Sequence, residues 1–193
     1  MPPKAKFTRG EIVEAAFSIV RERGMEYLTA RELGSRLGSS ARPIFTVFNS
    51  MDEVRDAVIK RAVELDKDYT MRGLQEKVPF KGVGMAYIKF AQDEPQLFRL
   101  LFMSEPKESY TVSSMIDLFN RVSPISDSIE GPYAMDKEKA SKLFQHMWIY
   151  THGIATMCVN GLCSYTDEEI SERLSEVFNA LLDEEKTSAT KKS

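Results

Sequence analysis

Histidine, cysteine and tryptophan are scarce: two His, two Cys and one Trp in 193 residues. Cys158 and Cys163 are five apart in an apolar setting, with no second pair at zinc spacing, so they are expected as free thiols in a reducing compartment. His146 and His152 are six apart, nearly opposite in helical phase, and make a poor metal pair. There is no Ser-His-Asp pattern, and Gly82-Val83-Gly84 lacks the preceding strand that a nucleotide loop requires. Catalysis, a resident metal and a cofactor are therefore not expected. No apolar run reaches the roughly 18 residues of a membrane span, and no signal peptide is visible. The expectation is a cytoplasmic protein with no membrane partner. Strand-like alternation and internal repeats are missing too, which leaves an all-α fold.

What is present is unevenly charged. Residues 1–50 carry eight Lys/Arg against five Asp/Glu, and residues 51–193 carry eighteen against twenty-four. A small positive module precedes a larger negative body. Such a chain does not coat nucleic acid along its length, but it can bind it locally.

The positive module reads as three helices. Thr8 with Glu11 forms a capping box for a first helix, whose stripe is Ile12, Ala15, Ala16, Ile19 and Val20. Gly24 ends it. Thr29 with Glu32 opens a second helix, stopped by Gly38. Ser39 or Ser40 then caps a third, with Pro43 near its start and Ile44, Val47 and Phe48 packing it down. Ser50 with Glu53 opens a long helix to about Met71. Further helices are predicted over 80–92, 95–104, 109–122 and 136–161, with a loop over 123–135 and a last helix capped by Thr166.

Two short helices joined by a Gly-Ser turn make a helix-turn-helix unit, whose third helix enters the major groove N-terminus first. Ser39, Ser40 and Arg42 then lie closest to base edges, with Arg42 the best reader because its guanidinium can bond guanine O6 and N7 together. Thr46, one turn on, reaches a thymine methyl or a phosphate, and Phe45 presents a face to the backbone. Thr29 and Arg31, at the start of the second helix, hold a phosphate. Lys4 and Lys6 form a basic arm ahead of the unit.

From Thr8 to Val58 the chain resembles the DNA-binding module of the TetR (tetracycline repressor-type) family. The Ala15–Ala16 pair, the lead-in from Gly24 to Thr29, the run from Leu33 to Gly38 and Pro43-Ile44-Phe45-Thr46-Val47-Phe48, followed by Asn49-Ser50-Met51-Asp52-Glu53, carry the resemblance. It departs at Phe45 and Val47, often Tyr in the family, and at Met51, often Lys. Each departure removes a contact to the phosphate backbone. The resemblance implies a transcriptional regulator whose C-terminal domain binds a ligand and changes the spacing of paired reader helices.

The body beyond Pro79 is rich in Met and aromatic residues, which suits an adaptable apolar cavity. Phe90, Phe98, Phe102, Met115, Phe119, Trp148 and His152 are the candidate ligand-binding residues. Ile170, Leu174, Val177 and Leu181 recur at helical spacing, and Gly153 and Asn160 lie among small residues that allow close helix approach. These six are the candidate dimer interface, and a four-helix dimer core is also what the resemblance implies.

The expected organisation is a helix-turn-helix DNA-binding domain over 1–50, a helical regulatory and dimerisation domain over 51–186 and a disordered tail over 187–193. The expected function is a homodimeric regulator, a repressor on a near-palindromic double-stranded DNA operator, released by a small, largely apolar effector. The alternative is a protein-binding or scaffold module with the same fold and weakened DNA contacts.

Overall fold

The computed structural model describes residues 6–104, 125, 127–133 and 135–190, with side chains described as far as residue 184. All regular structure among them is helical. The helices are α1 (Arg9–Arg23), α2 (Ala30–Arg36), α3 (Met51–Leu74), α4 (Pro79–Asp93), α5 (Pro95–Phe102), α6 (Asp127–Glu130), α7 (Lys137–Val159) and α8 (Asp167–Thr190). The helix expected over 109–122 lies outside the described residues.

Local chemistry explains the starts. The Thr8 hydroxyl accepts from the Glu11 N–H at 3.2 Å, and the Glu11 carboxylate accepts from the Thr8 N–H at 2.7 Å. Two donors that a helix start leaves orphaned are thereby satisfied. The Thr8 N–H and the Thr8 hydroxyl, both donating to it, hold the Glu11 carboxyl below its usual range. Thr166 and Glu169 repeat the arrangement at α8. Thr29 caps α2, but Glu32 does not return the bond and instead pairs with Arg23 at 3.0 Å. At α3 the Glu53 carboxylate reaches one residue further back than expected, to the Asn49 N–H at 2.9 Å. Gly24, at φ 104°, ends α1 in a conformation that glycine adopts at little cost.

The third helix of the helix-turn-helix does not form as expected. Between Gly38 and Ser50 the only helical piece is a 3-10 turn, Ile44–Thr46. Arg42 precedes a proline and is steered away from helical backbone, and Ile44, Thr46 and Val47 are β-branched. The Thr46 hydroxyl donates to the Pro43 carbonyl at 2.6 Å instead of leaving the segment free to wind on. Ile44 and Phe48 are nonetheless buried, as their spacing demanded.

Two further differences are small. The loop expected over 123–135 contains the single-turn α6. The last helix runs to Thr190, so its backbone passes through most of the segment expected as a disordered tail.

The chain divides into two compact units. The first takes in the residues up to Leu65 together with Glu94–Ser104, and the second takes in Asp66–Asp93 and the residues beyond Ser104. The division falls inside α3 rather than at its start. Within the first unit α5 packs on α1. Arg21 donates to both oxygens of the Glu94 carboxylate, with Nε at 2.6 Å from one of them, and Glu94 is only 3% exposed. Leu97 and Phe98 are fully buried there. Within the second unit α4, α7 and α8 pack on one another. The close crossing of α3 and α4 depends on two glycines. A Cβ on Gly82 would lie 2.1 Å from the Gly73 carbonyl oxygen, which no side chain tolerates.

Candidate functional site

The first unit offers an exposed turn. Gly34 sits in the middle of α2 and is the reason the turn can lie against it. A Cβ there would come within 2.8 Å of the Ser40 carbonyl carbon and 2.9 Å of the Ala41 nitrogen. The Gly34 carbonyl accepts from the Ser39 N–H at 2.8 Å. Lys6 reaches the same place, donating to the Ser39 hydroxyl at 3.1 Å. Thr29, Arg31, Ser40, Arg42, Phe45 and Thr46 are all exposed.

The arginines up to Leu65 fall into two groups. Arg9, Arg21, Arg23, Arg36, Arg55 and Arg61 each pair with a carboxylate. Arg36 forks onto Glu22, and with Ser18 it holds the Glu22 carboxyl down to about 2. The fork occupies the Arg36 guanidinium. Arg31 and Arg42 make no ion pair among the described residues.

The second unit encloses a cavity of about 320 Å³. Three helices each give it one face at helical spacing: Phe80, Val83, Gly84 and Tyr87 from α4; Phe144, Met147, Trp148 and Thr151 from α7; Leu174, Phe178 and Leu182 from α8. Its aromatic walls touch, with Phe80 5.8 Å from Phe178 and Tyr133 4.9 Å from Phe178 between ring centroids. Gly84 widens the chamber, since a Cβ there would press on Leu174 at 3.1 Å. The Tyr87 hydroxyl and His152 Nδ1 are 2.9 Å apart, and His152 stacks on Trp148.

Two polar groups come to the same wall from α3. Thr70 is one, and Asp66 is the other. Burial pushes the Asp66 carboxyl up to about 7. Burial, with the nearby Asp66 charge, also drives the Tyr87 phenol well above its usual range, and burial lowers His152. Lys81 lines the cavity as well, but makes no ion pair with Asp66.

A family model described as "Tetracyclin repressor-like, C-terminal domain" matches residues 80–184, more than half of the chain. The chain belongs to the tetracycline repressor-like family. No curated protein matches it. The match falls on the region whose helical pattern was least distinctive in the sequence, and it includes most of the cavity-lining residues. Members of this family are non-catalytic regulators, so the fold is a regulatory one. No helix among the described residues is long and apolar enough to cross a membrane.

The candidate ligand residues scatter. Trp148 lines the cavity. His152 stands behind it, joined through Tyr87 and Trp148. Phe90 is fully buried against Tyr69, and Phe98 and Phe102 pack on each other in the first unit. Met115, Phe119 and the arm residue Lys4 lie outside the described residues. Of the candidate interface, Ile170 and Leu174 are buried within the single chain, at 1% and 2% exposure, and Leu174 faces the cavity. Val177 and Leu181 are half-buried, and Gly153 and Asn160 are exposed.

Asp66 and Gly34 were not singled out from the sequence, though both left a trace. Val54, Val58 and Ala62 are fully buried at four-residue steps along α3, and the next step is Asp66. A carboxylate on the continuation of a buried row is a signal. A glycine inside a well-capped helix is another.

Proposed function

We propose that this chain is a dimeric, DNA-binding transcriptional regulator, a repressor whose second unit takes a small effector. The observation that carries the reading is the division among the arginines between Arg9 and Arg61. Six are neutralised by carboxylates, whereas Arg31 and Arg42, at α2 and the turn after it, keep an exposed charge. Phosphates and a guanine edge are the partners that suit such charges. Lys6, tied to Ser39, brings a third cation to the turn.

Dimerisation supplies two linked readers for a near-palindromic operator. Val177 and Leu181 on α8, with Gly153 and Asn160 on α7, are the proposed seam. The exposed Ile149 on α7 and Leu162 in the segment between α7 and α8, at 54% and 73%, add apolar surface. Leu181→Asp then yields a monomer on light scattering that no longer binds operator.

The deciding experiment is a fluorescence-anisotropy titration of DNA from the protein's own upstream region at several salt concentrations. Specific binding with a steep salt slope is expected. Arg42→Ala costs about 1–3 kcal/mol at one base position, whereas a uniform loss across sequences makes Arg42 a phosphate contact. Failure to bind any sequence tighter than bulk duplex defeats the proposal. Phe45, 47% exposed beside Arg42, then favours the second reading, a protein-binding module that kept the fold.

Release by effector follows from linkage. A ligand shifts the dimer only by binding one of its states more tightly, and a switch from mostly bound to mostly free needs about 10⁴-fold, near 5.5 kcal/mol. The cavity is of a size to bury a small aromatic molecule almost whole.

A further inference from the structure

The cavity has a polarity that its aromatic walls do not explain. Asp66 has no hydrogen-bond or ion-pair partner among the described residues. The groups that face it are Tyr87 and Lys81 from α4 and Thr70 from its own helix, while α7 contributes His152 only through the Tyr87 hydroxyl and α8 contributes neutral Ser175 and Asn179. Tyr87 is a phenol already engaged with His152, and Lys81 does not reach the carboxylate. Asp66 is half-buried on the wall of an apolar cavity, where a part-desolvated carboxylate without a cation is costly and marks a place that a ligand can complete.

Resting on the effector cavity proposed above, we infer that its ligand is an aromatic or aliphatic amine, with a protonated nitrogen held by the Asp66 carboxylate and an apolar body held against Phe80, Phe144, Trp148 and Phe178. The geometry suits that class and disfavours two others. An anion would meet Asp66 at close range. A neutral hydrocarbon would leave the carboxylate desolvated and unpaired. Charge-assisted hydrogen bonds are about twice as strong as neutral ones, and aromatic faces add attraction for a cation. The upward displacement of the Asp66 carboxyl has the same origin, because burial is its sole cause.

Trp148 is the only tryptophan of the chain and lines the cavity, so its fluorescence reports occupancy without a label. The experiment titrates the full chain with three probes of one shape, phenylbutylamine, phenylbutanol and phenylbutyrate, at pH 8, by calorimetry and Trp148 emission. The amine is expected to bind about 10–100-fold tighter than the alcohol, with the carboxylate weakest. In Asp66→Asn the amine falls to the level of the alcohol, while alcohol binding is retained and shows that the cavity is intact. Equal affinity for amine and alcohol in the native chain overturns the assignment and leaves the cavity standing. An equal loss of all three probes in Asp66→Asn also overturns it, since Asp66 is then structural. If no probe changes the emission or releases heat, the effector cavity itself is refuted, and the DNA-binding reading is judged separately by its own titration.

Discussion

The two units treat charge in opposite ways. In the first, carboxylates and arginines meet at the surface: Glu53 with Arg9, Glu14 with Arg61, Glu32 with Arg23, Glu22 with Arg36. Exposed pairs of this kind add little stability, since solvent screens them. Their consequence is subtraction, because they offset the charge of these arginines, whereas Arg31 and Arg42 make no ion pair among the described residues. In the second unit the half-buried carboxylate of Asp66, on the cavity wall, is left without a cation among the described residues. Its cost has no structural return within the chain. A surface that cancels its charges except at one place, and an interior that keeps one charge uncancelled, both point to where a partner binds.

The largest expected effect tests the buried charge directly. The Asp66 carboxyl titrates near 7 in the folded chain against an ordinary 3.8. A raised carboxyl means that the folded state holds its proton more tightly than the unfolded state. The charge therefore costs nothing below about pH 4, costs progressively more through the window between, and reaches its full cost above pH 7, at most about 4 kcal/mol. Asp66→Asn should stabilise the protein at pH 8 and have its smallest effect at acidic pH. Between pH 5 and pH 8 the gap between variant and native chain should widen by about 2–3 kcal/mol in urea denaturation. A gap that does not change with pH would place the carboxyl in water and erase the contrast between the units.

Gly82→Ala comes next. Its methyl group would meet the Gly73 carbonyl on α3, and backbone gives way less than a side chain. A loss of about 3 kcal/mol is expected in thermal or chemical denaturation, together with loss of probe binding in the cavity. Retention of both would mean that α3 and α4 can separate without harm to the chamber.

In the first unit the pair to break is the buried one. Arg21→Ala leaves the Glu94 carboxylate buried without its fork, and about 2–3 kcal/mol should be lost in denaturation. Arg23→Ala, which removes an exposed pair, should cost under about 1 kcal/mol. The ratio of the two measures how far burial, rather than pairing, sets the value of a charge in this protein. Equal costs would remove the distinction drawn between surface and interior.

The smallest stability effect is Gly34→Ala. The turn must shift by several tenths of an ångström, at about 1–2 kcal/mol, partly offset by the better helix propensity of alanine. The informative readout is DNA affinity, which should fall by more than the stability change accounts for, because Ser40 and Arg42 move with the turn. Unchanged affinity would detach the turn from recognition.

Helix starts were legible because they are local. Thr8, Thr29, Ser50 and Thr166 each bond an N–H three residues on, and residue order within a few positions reveals such sites. The periodic stripes of α1 and α8 were legible for the same reason, and the family resemblance rested on spacing within one short stretch. The third helix was misread where local rules conflicted, with a cap and a proline in favour and β-branching and the pre-proline restriction against. Tertiary packing of Ile44 and Phe48 held the segment as a turn.

The order of residues along the chain determined by itself that this chain is helical and carries a small basic module on an acidic body. Only the tertiary structure decided which arginines keep their charge, because Glu22 and Arg36, or Glu14 and Arg61, are brought together by folding across many residues. It decided equally that Phe90 and Phe98 are packed inside while Phe80 and Phe178 wall a cavity, since one apolar side chain can do either. And it set Asp66 among aromatic rings, where loss of water rather than any neighbouring charge makes a common carboxylate the most unusual group in the protein.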